Sequence, residues 1–160
     1  MIFESLIFIF PAYCANSIPV VLGGGRSLDF GRKFIDGRPL FGSHKTFRGF
    51  FAGLCVGTIV GIGESIVFDW YTPLLGFLLS LGAVLGDLGG AFAKRRLGLA
   101  PGAFFPVVDQ IDFVLLALVF SIPVAAPTLI LTLHIIAITI PIHILTNLLA
   151  YLVKLKKKPW

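Results

Sequence analysis

Three aspartates flank three consecutive cations in the segment GDLGGAFAKRRLGLAPGAFFPVVDQID, residues 86–112. Asp87 lies about two helical turns before Lys94, Arg95 and Arg96, and Asp109 and Asp112 follow as a pair. Residues three apart on a helix share a face, so an ionised Asp109 and Asp112 repel one another. Beside apolar sequence they are also poorly solvated. A divalent cation relieves both problems, and an all-oxygen donor set favours Mg²⁺ over softer metals. Lys and Arg beside acidic metal ligands are equipment for a polyphosphate: the metal bridges phosphate oxygens while the cations neutralise charge that develops on transfer. The plainer alternative makes Asp109 and Asp112 helix-start residues, where acids suit the positive dipole end, and makes the cations interfacial anchors. The three aspartates taken together favour the metal.

A second segment, DGRPLFGSHKTFRG (residues 36–49), alternates glycines with cations just before an apolar run. It imitates a phosphate-binding P-loop in Gly37, Gly42, Lys45 and Thr46, but Ser43 and His44 separate the second glycine from the lysine and no strand precedes it. What remains is a helix start. Thr46 is placed to cap the following helix, and Lys45 and Arg48 flank its anion-attracting end.

The elements that must hold these residues are membrane helices. The chain has 160 residues, 57% hydrophobic and 13% charged, with a mean hydropathy of +0.97. A soluble fold of this size would lack polar surface, and the apolar runs have bilayer-spanning length, about 20 residues each. The pattern predicts an all-α integral membrane protein, a single domain over 1–160, with five transmembrane spans near 2–22, 47–68, 72–92, 108–124 and 128–153. Loops 23–46 and 93–107 and the tail from Lys154 carry twelve of the thirteen Lys and Arg residues, and the thirteenth, Arg48, adjoins the first loop at the start of the second span. Five spans put those three segments on one side, which the positive-inside rule makes the cytoplasm, with the N-terminus outside. Glu4, Glu64 and Asp69 then fall near the outer face.

Gly49, Gly53, Gly57 and Gly61 recur every four residues, as do Gly82, Gly86 and Gly90. Such faces let membrane helices approach closely, and Asp87 sits beside the second one. Asn16, in the cytoplasmic half of the first span, is placed to face the site or to bond a neighbouring helix. His134, His143 and Asn147 are expected to make interhelical hydrogen bonds, and the tail KLKKKPW to anchor on anionic lipid through its lysines and Trp160. Cys14 and Cys55 read as buried small hydrophobes without a disulfide.

The chain resembles the membrane cytidylyltransferases that make CDP-activated lipids. GDLGGAFAKR (86–95), Pro101–Gly102 and DQIDF (109–113) are similar to the C-terminal signature of bacterial CDP-diacylglycerol synthases, with Ala91 where that signature has serine. NSIPV (16–20), LDFGRKFIDGRPLFGSHKTFRG (28–49), the GDL segment and the aspartate pair resemble the short archaeal CDP-archaeol synthases more closely. The resemblance implies an enzyme in the cell membrane, its site facing the cytoplasm. It would use CTP and Mg²⁺ to convert an isoprenoid glycerol-ether lipid phosphate, 2,3-di-O-geranylgeranylglyceryl phosphate, into CDP-archaeol and pyrophosphate, with membrane lipids and no nucleic acid as partners. It implies Asp87 and Asp112 as main metal ligands with Asp109 assisting, and Lys94 and Arg95 at the reacting phosphates. Lys45, Arg48 and Thr46, with Gly42, His44 and Asn16, would hold CTP, while Asp29 and Asp36 would order the first loop or read the nucleotide. The same reaction on diacyl phosphatidic acid is the nearest alternative. A small transporter is a distant one, because the charges cluster at one interface and no internal repeat is present.

Overall fold

The structure, a computed structural model, describes residues 2–100, 103, 105, 107–156 and 158. Five helices follow one another: α1 (Ile2–Leu22), α2 (Phe47–Val67), α3 (Pro73–Arg96), α4 (Val108–Ser121) and α5 (Leu129–Leu152). Among the described residues there is no β-strand, only isolated bridges between Ser27 and Thr46 and between Lys33 and Pro39. Threonines start three helices. The hydroxyls of Thr46, Thr72 and Thr128 accept from the amides of Gly49, Leu75 and Leu131, satisfying donors that a helix start leaves open.

Two elements differ from the sequence expectation. α3 does not stop at Phe92 but runs on to Arg96, so Lys94, Arg95 and Arg96 are helical and not part of a loop. Alanine, lysine and arginine are good helix formers, and cations suit a helix C-terminus. The helix closes only where Gly98 takes a positive φ of 78° and Leu99 N–H donates to the Lys94 carbonyl. α4 is the other. Its 14 residues span about 21 Å, short of the roughly 30 Å hydrocarbon layer, whereas α1, α2, α3 and α5 are long and apolar enough to cross.

α2 shows how a membrane helix packs. Its only buried residues are Gly49, Gly53, Gly57 and Gly61, while Phe51, Ile59, Ile62 and Ile66 point outward as a lipid-facing side would. A Cβ on Gly57 would stand 2.7 Å from the Pro11 carbonyl oxygen, so α1 and α2 touch backbone to backbone. The second glycine face works likewise. A Cβ on Gly82 would lie 2.6 Å from Ala117 Cα, and one on Gly86 would lie 2.6 Å from the Asp112 carbonyl oxygen. α4 is thereby pressed onto α3, the most extensive helix pairing in the bundle. α5 packs least and only on α4 and α1, through Tyr13 Oη to Thr139 Oγ1 at 2.7 Å and a tilted Phe113–His143 ring pair.

Other expectations are corrected here. Cys55 is exposed on α2 and Cys14 half-buried, both free thiols. His134 bonds its own helix at the Ile130 carbonyl, and His143 and Asn147 pair with each other one turn apart on α5, so none makes the expected interhelical hydrogen bond. Each has a partner within one helical turn of α5, and Asn147 also accepts from Lys156 just beyond the helix. Pro101, Gly102, Lys157 and Trp160 lie outside the described residues.

The glycine contacts set a stability test. Gly82→Ala forces α3 and α4 apart and should destabilise the protein by about 1–3 kcal/mol, lowering its thermal unfolding midpoint in detergent. Gly89→Ala, at a position with nothing within 4 Å of the new methyl, should leave the midpoint unchanged or raise it.

Candidate active site

The start of α2, the end of α3 and the start of α4 meet at one end of the bundle, and the charged residues collect there. Lys45 Nζ lies 2.5 Å from Asp87 Oδ2 and joins the first loop to α3. Lys94 Nζ lies 2.8 Å from Asp109 Oδ1 and joins α3 to the start of α4. Asp112 takes its place through the glycine seam, its carboxylate lying over Gly90 where any side chain would collide. Asp87 and Gly90 are three apart on α3, so Asp87 and Asp112 look onto the same helix face. Asp112 Oδ1 accepts from the Phe113 amide at 2.7 Å.

The three cations at the end of α3 sit about 100° apart around the helix and meet different surroundings. Lys94 faces Asp109. Arg95 turns inward and is 3% exposed, yet its Nε and Nη1 have no hydrogen-bond partner among the described residues. Arg96 faces the first loop: Nη1 donates to Asp36 Oδ1 at 2.7 Å, Nη2 donates to the Arg38 and Pro39 carbonyls, and the guanidinium covers the Phe34 and Phe92 rings. Arg38 returns the contact through Nη1 to the Arg95 and Arg96 carbonyls.

The first loop is held from within by Asp29, which is 4% exposed. Its Oδ1 accepts from Gly31 N–H, and its Oδ2 accepts from Phe41 and Gly42 N–H. Burial alone would raise its pKa, but the Gly42, Gly31 and Phe41 amides and the Ser27 hydroxyl outweigh this and hold it below the usual carboxylate range. Gly42 sits at a positive φ of 101°, which a side chain would strain. The ordered loop delivers His44, Lys45 and Thr46 to a cleft whose other walls include Asn16, Val84 and Asp87.

Nearly every expected site residue is therefore brought to this end. Asp87, Asp109, Asp112, Lys94 and Arg95 gather around the α3–α4 seam, and Asn16, His44, Lys45 and Thr46 line the cleft beside it. Asp29, Asp36 and Gly42 order the loop. Arg48 is exposed on the first turn of α2. The lysine partners of Asp87 and Asp109 and the locking role of Arg96 were not legible in the sequence, because spacing does not say which cation meets which acid.

The donor set suits Mg²⁺. It is all carboxylate oxygen, and Mg²⁺ is usually held by one or two protein carboxylates plus substrate phosphates and water. Among the described residues no three or more His, Cys, Asp and Glu side chains come together as a group that could hold a metal ion, so the expected convergence of Asp87, Asp109 and Asp112 on one ion is not seen as a set of three. Asp87 of α3 and Asp112 of α4 look onto the same face of α3, and two such carboxylates fit a metal that brings its remaining ligands with its substrate.

These features define a multi-pass helical membrane protein with a charged, anion-seeking site at one end of its bundle. The family model for CDP-archaeol synthase, of the CarS-like type, matches residues 1–160. A protein of Pyrococcus furiosus named CDP-archaeol synthase is 47% identical over 99% of this chain and 98% of its own length. One of Methanopyrus kandleri with the same name is 45% identical over 98% and 92%. A solved structure described as an intramembrane enzyme for archaeal membrane lipids biosynthesis aligns with a TM-score of 0.87 at 36% identity, covering 92% of this chain and 94% of that one. The chain belongs to the CDP-archaeol synthase family.

The Asp29 bonds yield a prediction. Because its pKa is depressed by folding, its stabilisation is full above the ordinary aspartate value of about 3.9 and fades as pH falls below it. Asp29→Asn should remove that contribution at neutral pH, and the Gly31, Phe41 and Gly42 amides should exchange hydrogen faster by about 1–3 kcal/mol of lost protection.

Proposed function

We propose that this chain transfers a cytidylyl group from CTP to the phosphate of 2,3-di-O-geranylgeranylglyceryl phosphate, releasing pyrophosphate and leaving CDP-archaeol in the membrane. Its family membership supports the reaction. The observation that carries the site assignment is Arg95: a buried guanidinium with two open donors, beside the Asp109–Lys94 pair and the Asp87–Asp112 face. Buried donors are normally paired, so an open guanidinium in a charged site is suited to an anionic substrate.

The lipid phosphate oxygen attacks the α-phosphorus of CTP, a P–O bond forms, and the bond to the β-phosphate breaks. A phosphate monoester is already ionised near neutral pH, so the protein supplies no nucleophile. Its work is positioning and charge neutralisation. Asp87 and Asp112 would hold Mg²⁺ with Asp109 assisting. When bound, the ion neutralises phosphate charge and favours departure of pyrophosphate. Lys45 and Lys94, which pair with Asp87 and Asp109, would turn to phosphate oxygens where those carboxylates hold the ion. Thr46 presents the α2 N-terminus, and Lys45 and Arg48 beside it favour the multiply charged end of CTP. Arg95 donates where charge builds on the phosphates being exchanged.

The orientation belongs to the same proposal. α4 makes a fifth, partial crossing, the N-terminus lies outside, and the site faces the cytoplasm. The clustering of the cations at one end of the bundle and in the tail supports this arrangement. CTP would arrive from water and the lipid sideways, between helices.

The direct assay uses purified protein, labelled CTP, Mg²⁺ and geranylgeranylglyceryl or diacylglyceryl phosphate, with lipid-extractable label as readout. Wild-type protein should label the ether lipid. Asp87→Asn and Asp112→Asn should abolish turnover while the protein stays folded, and Asp29→Asn should do less. An Asp112→Asn rate within a few-fold of wild type would refute the ligand role.

A binding titration resolves the phosphate contacts. Lys45→Ala should weaken CTP binding by about 1.5–3 kcal/mol, the worth of a charge-assisted contact, and CMP binding far less. Arg95→Ala should lower turnover more than CTP affinity, as for an interaction that strengthens in the transition state. Equal losses of CTP and CMP affinity in Lys45→Ala would place this lysine away from the β- and γ-phosphates.

A further inference from the structure

The end of α5 holds a cation that the site as described does not use. α5 stops at Leu152, and Lys154 adopts a positive φ of 61°. The chain then folds back on itself, with the Leu155 and Lys156 amides both donating to the Ala150 carbonyl. This reversal points Lys156 back along the helix, where Nζ donates to Asn147 Oδ1 at 2.6 Å. The Asn147 amide lies 3.0 Å from His143 Nδ1, and the His143 ring lies tilted against Phe113, the residue after Asp112, with centroids 6.0 Å apart. An unbroken run of contacts thus joins the tail to the aspartates. Lys45, Asp109, Asp87 and Lys94 all lie within electrostatic reach of Lys156, and Asp109 and Asp87 within reach of His143.

Of the other cations described around the site, Arg95 keeps open donors inside the α3–α4 seam and Arg48 is exposed on α2, while four are already engaged. Lys45 holds Asp87, Lys94 holds Asp109, Arg96 holds Asp36, and Arg38 holds backbone carbonyls. Lys156 differs, since the hydrogen-bond partner the structure gives it is the neutral amide of Asn147. Its flank differs too. Leu145, Leu148, Leu149 and Leu152 are exposed along the same end of α5, the least packed helix. A positive charge on the border between a polar site and an exposed apolar helix side suits one class of ligand, an amphiphile with a phosphate head.

We propose that Lys156, set in place by Asn147 and His143, binds the phosphate of the lipid substrate, while the isoprenoid chains lie along the exposed side of α5. The assignment rests on the cytidylyl-transfer reading above and adds the acceptor side to it. CTP is served by Lys45, Arg48 and Arg95 from the first loop, α2 and α3; the lipid phosphate approaches from α5. Asn147 is a positioning residue, and its amide supplies an oxygen without supplying a competing charge.

The test is steady-state kinetics of the full chain in a neutral detergent, varying geranylgeranylglyceryl phosphate at saturating CTP and then the reverse. Lys156→Ala should raise KM for the lipid phosphate about tenfold or more, the loss expected of one charge-assisted phosphate contact. KM for CTP should stay within about twofold. Lys156→Arg should recover most of the loss, and Lys158→Ala, which removes the same charge from the same tail, should behave as wild type. A CTP titration of Lys156→Ala that matches wild type verifies that the variant is folded. An unchanged lipid KM in Lys156→Ala overturns the proposal, as does an equal rise in KM for CTP. An equal effect in Lys158→Ala would reduce Lys156 to a surface anchor and overturn it as well. Wild-type protein that puts no label into lipid overturns the reaction itself, whereas an active wild type with an indifferent Lys156→Ala overturns the role of Lys156 alone.

Discussion

The site depends on how closely α3 and α4 approach. In lipid, no hydrophobic effect drives helices together, so association rests on packing, and packing improves as backbones near each other. Gly82 and Gly86 bring α4 within backbone contact of α3, and Gly90 leaves the space that the Asp112 carboxylate fills. Remove that space and Asp112 loses its place beside Asp87. The small residues are thus a geometric requirement of this charged cluster. They carry no chemistry, but they set the distance between groups that do. α2 uses the same device against α1, which steadies the helix start carrying Thr46.

Gathering three carboxylates at one end of an apolar bundle would be unfavourable without compensation, and the compensation is local. Asp87 and Asp109 each meet a lysine from another element, so each ion pair also fastens two elements together. Lys94 and Asp109 are only 15% and 18% exposed, in the range where an unpaired charge is strongly destabilising. A lysine is well suited to such a post. Its ammonium is a compact charge on a flexible stem and can leave a carboxylate for a phosphate with little backbone movement. Arginine serves where the contact is permanent. Arg96 clamps the first loop with a planar fork that reaches Asp36 and two carbonyls at once.

How much of this could be read from the chain depends on whether the information is periodic or spatial. Apolar runs located α1, α2, α3 and α5 within a few residues, and four-residue glycine spacing located both close interfaces, because period and composition are local properties. The Thr46 cap was legible for the same reason. The C-terminal bounds of α3 and α4 were not. A hydropathy boundary marks where a helix leaves an apolar setting, and the helix itself continues as long as its residues favour it, which carried α3 four residues past Phe92 to Arg96. The acidic residues and cations were identifiable as a group, yet their pairing depends on a fold that brings residue 45 to residue 87. The α5 pair was misassigned between helices because His143 and Asn147, four apart, satisfy each other along the helix. The turn at Lys154 was invisible, since a lysine gives no signal of positive φ.

The short α4 explains where such a reaction can take place. A helix of about 21 Å cannot carry both its ends to the two faces of a hydrocarbon layer roughly 30 Å thick. Asp109 and Asp112 occupy its first turns, and Arg95 is buried next to Asp109's lysine, so this end is the one enclosed by protein and fastened by charge pairs. The far end, near Ser121, lies among apolar residues and holds no charge. A phosphate on a membrane-embedded lipid cannot travel far from the headgroup level, and a nucleotide triphosphate cannot enter the hydrocarbon. On the proposed reading, a charged site at one end of an apolar bundle would let the two meet without either leaving its own solvent.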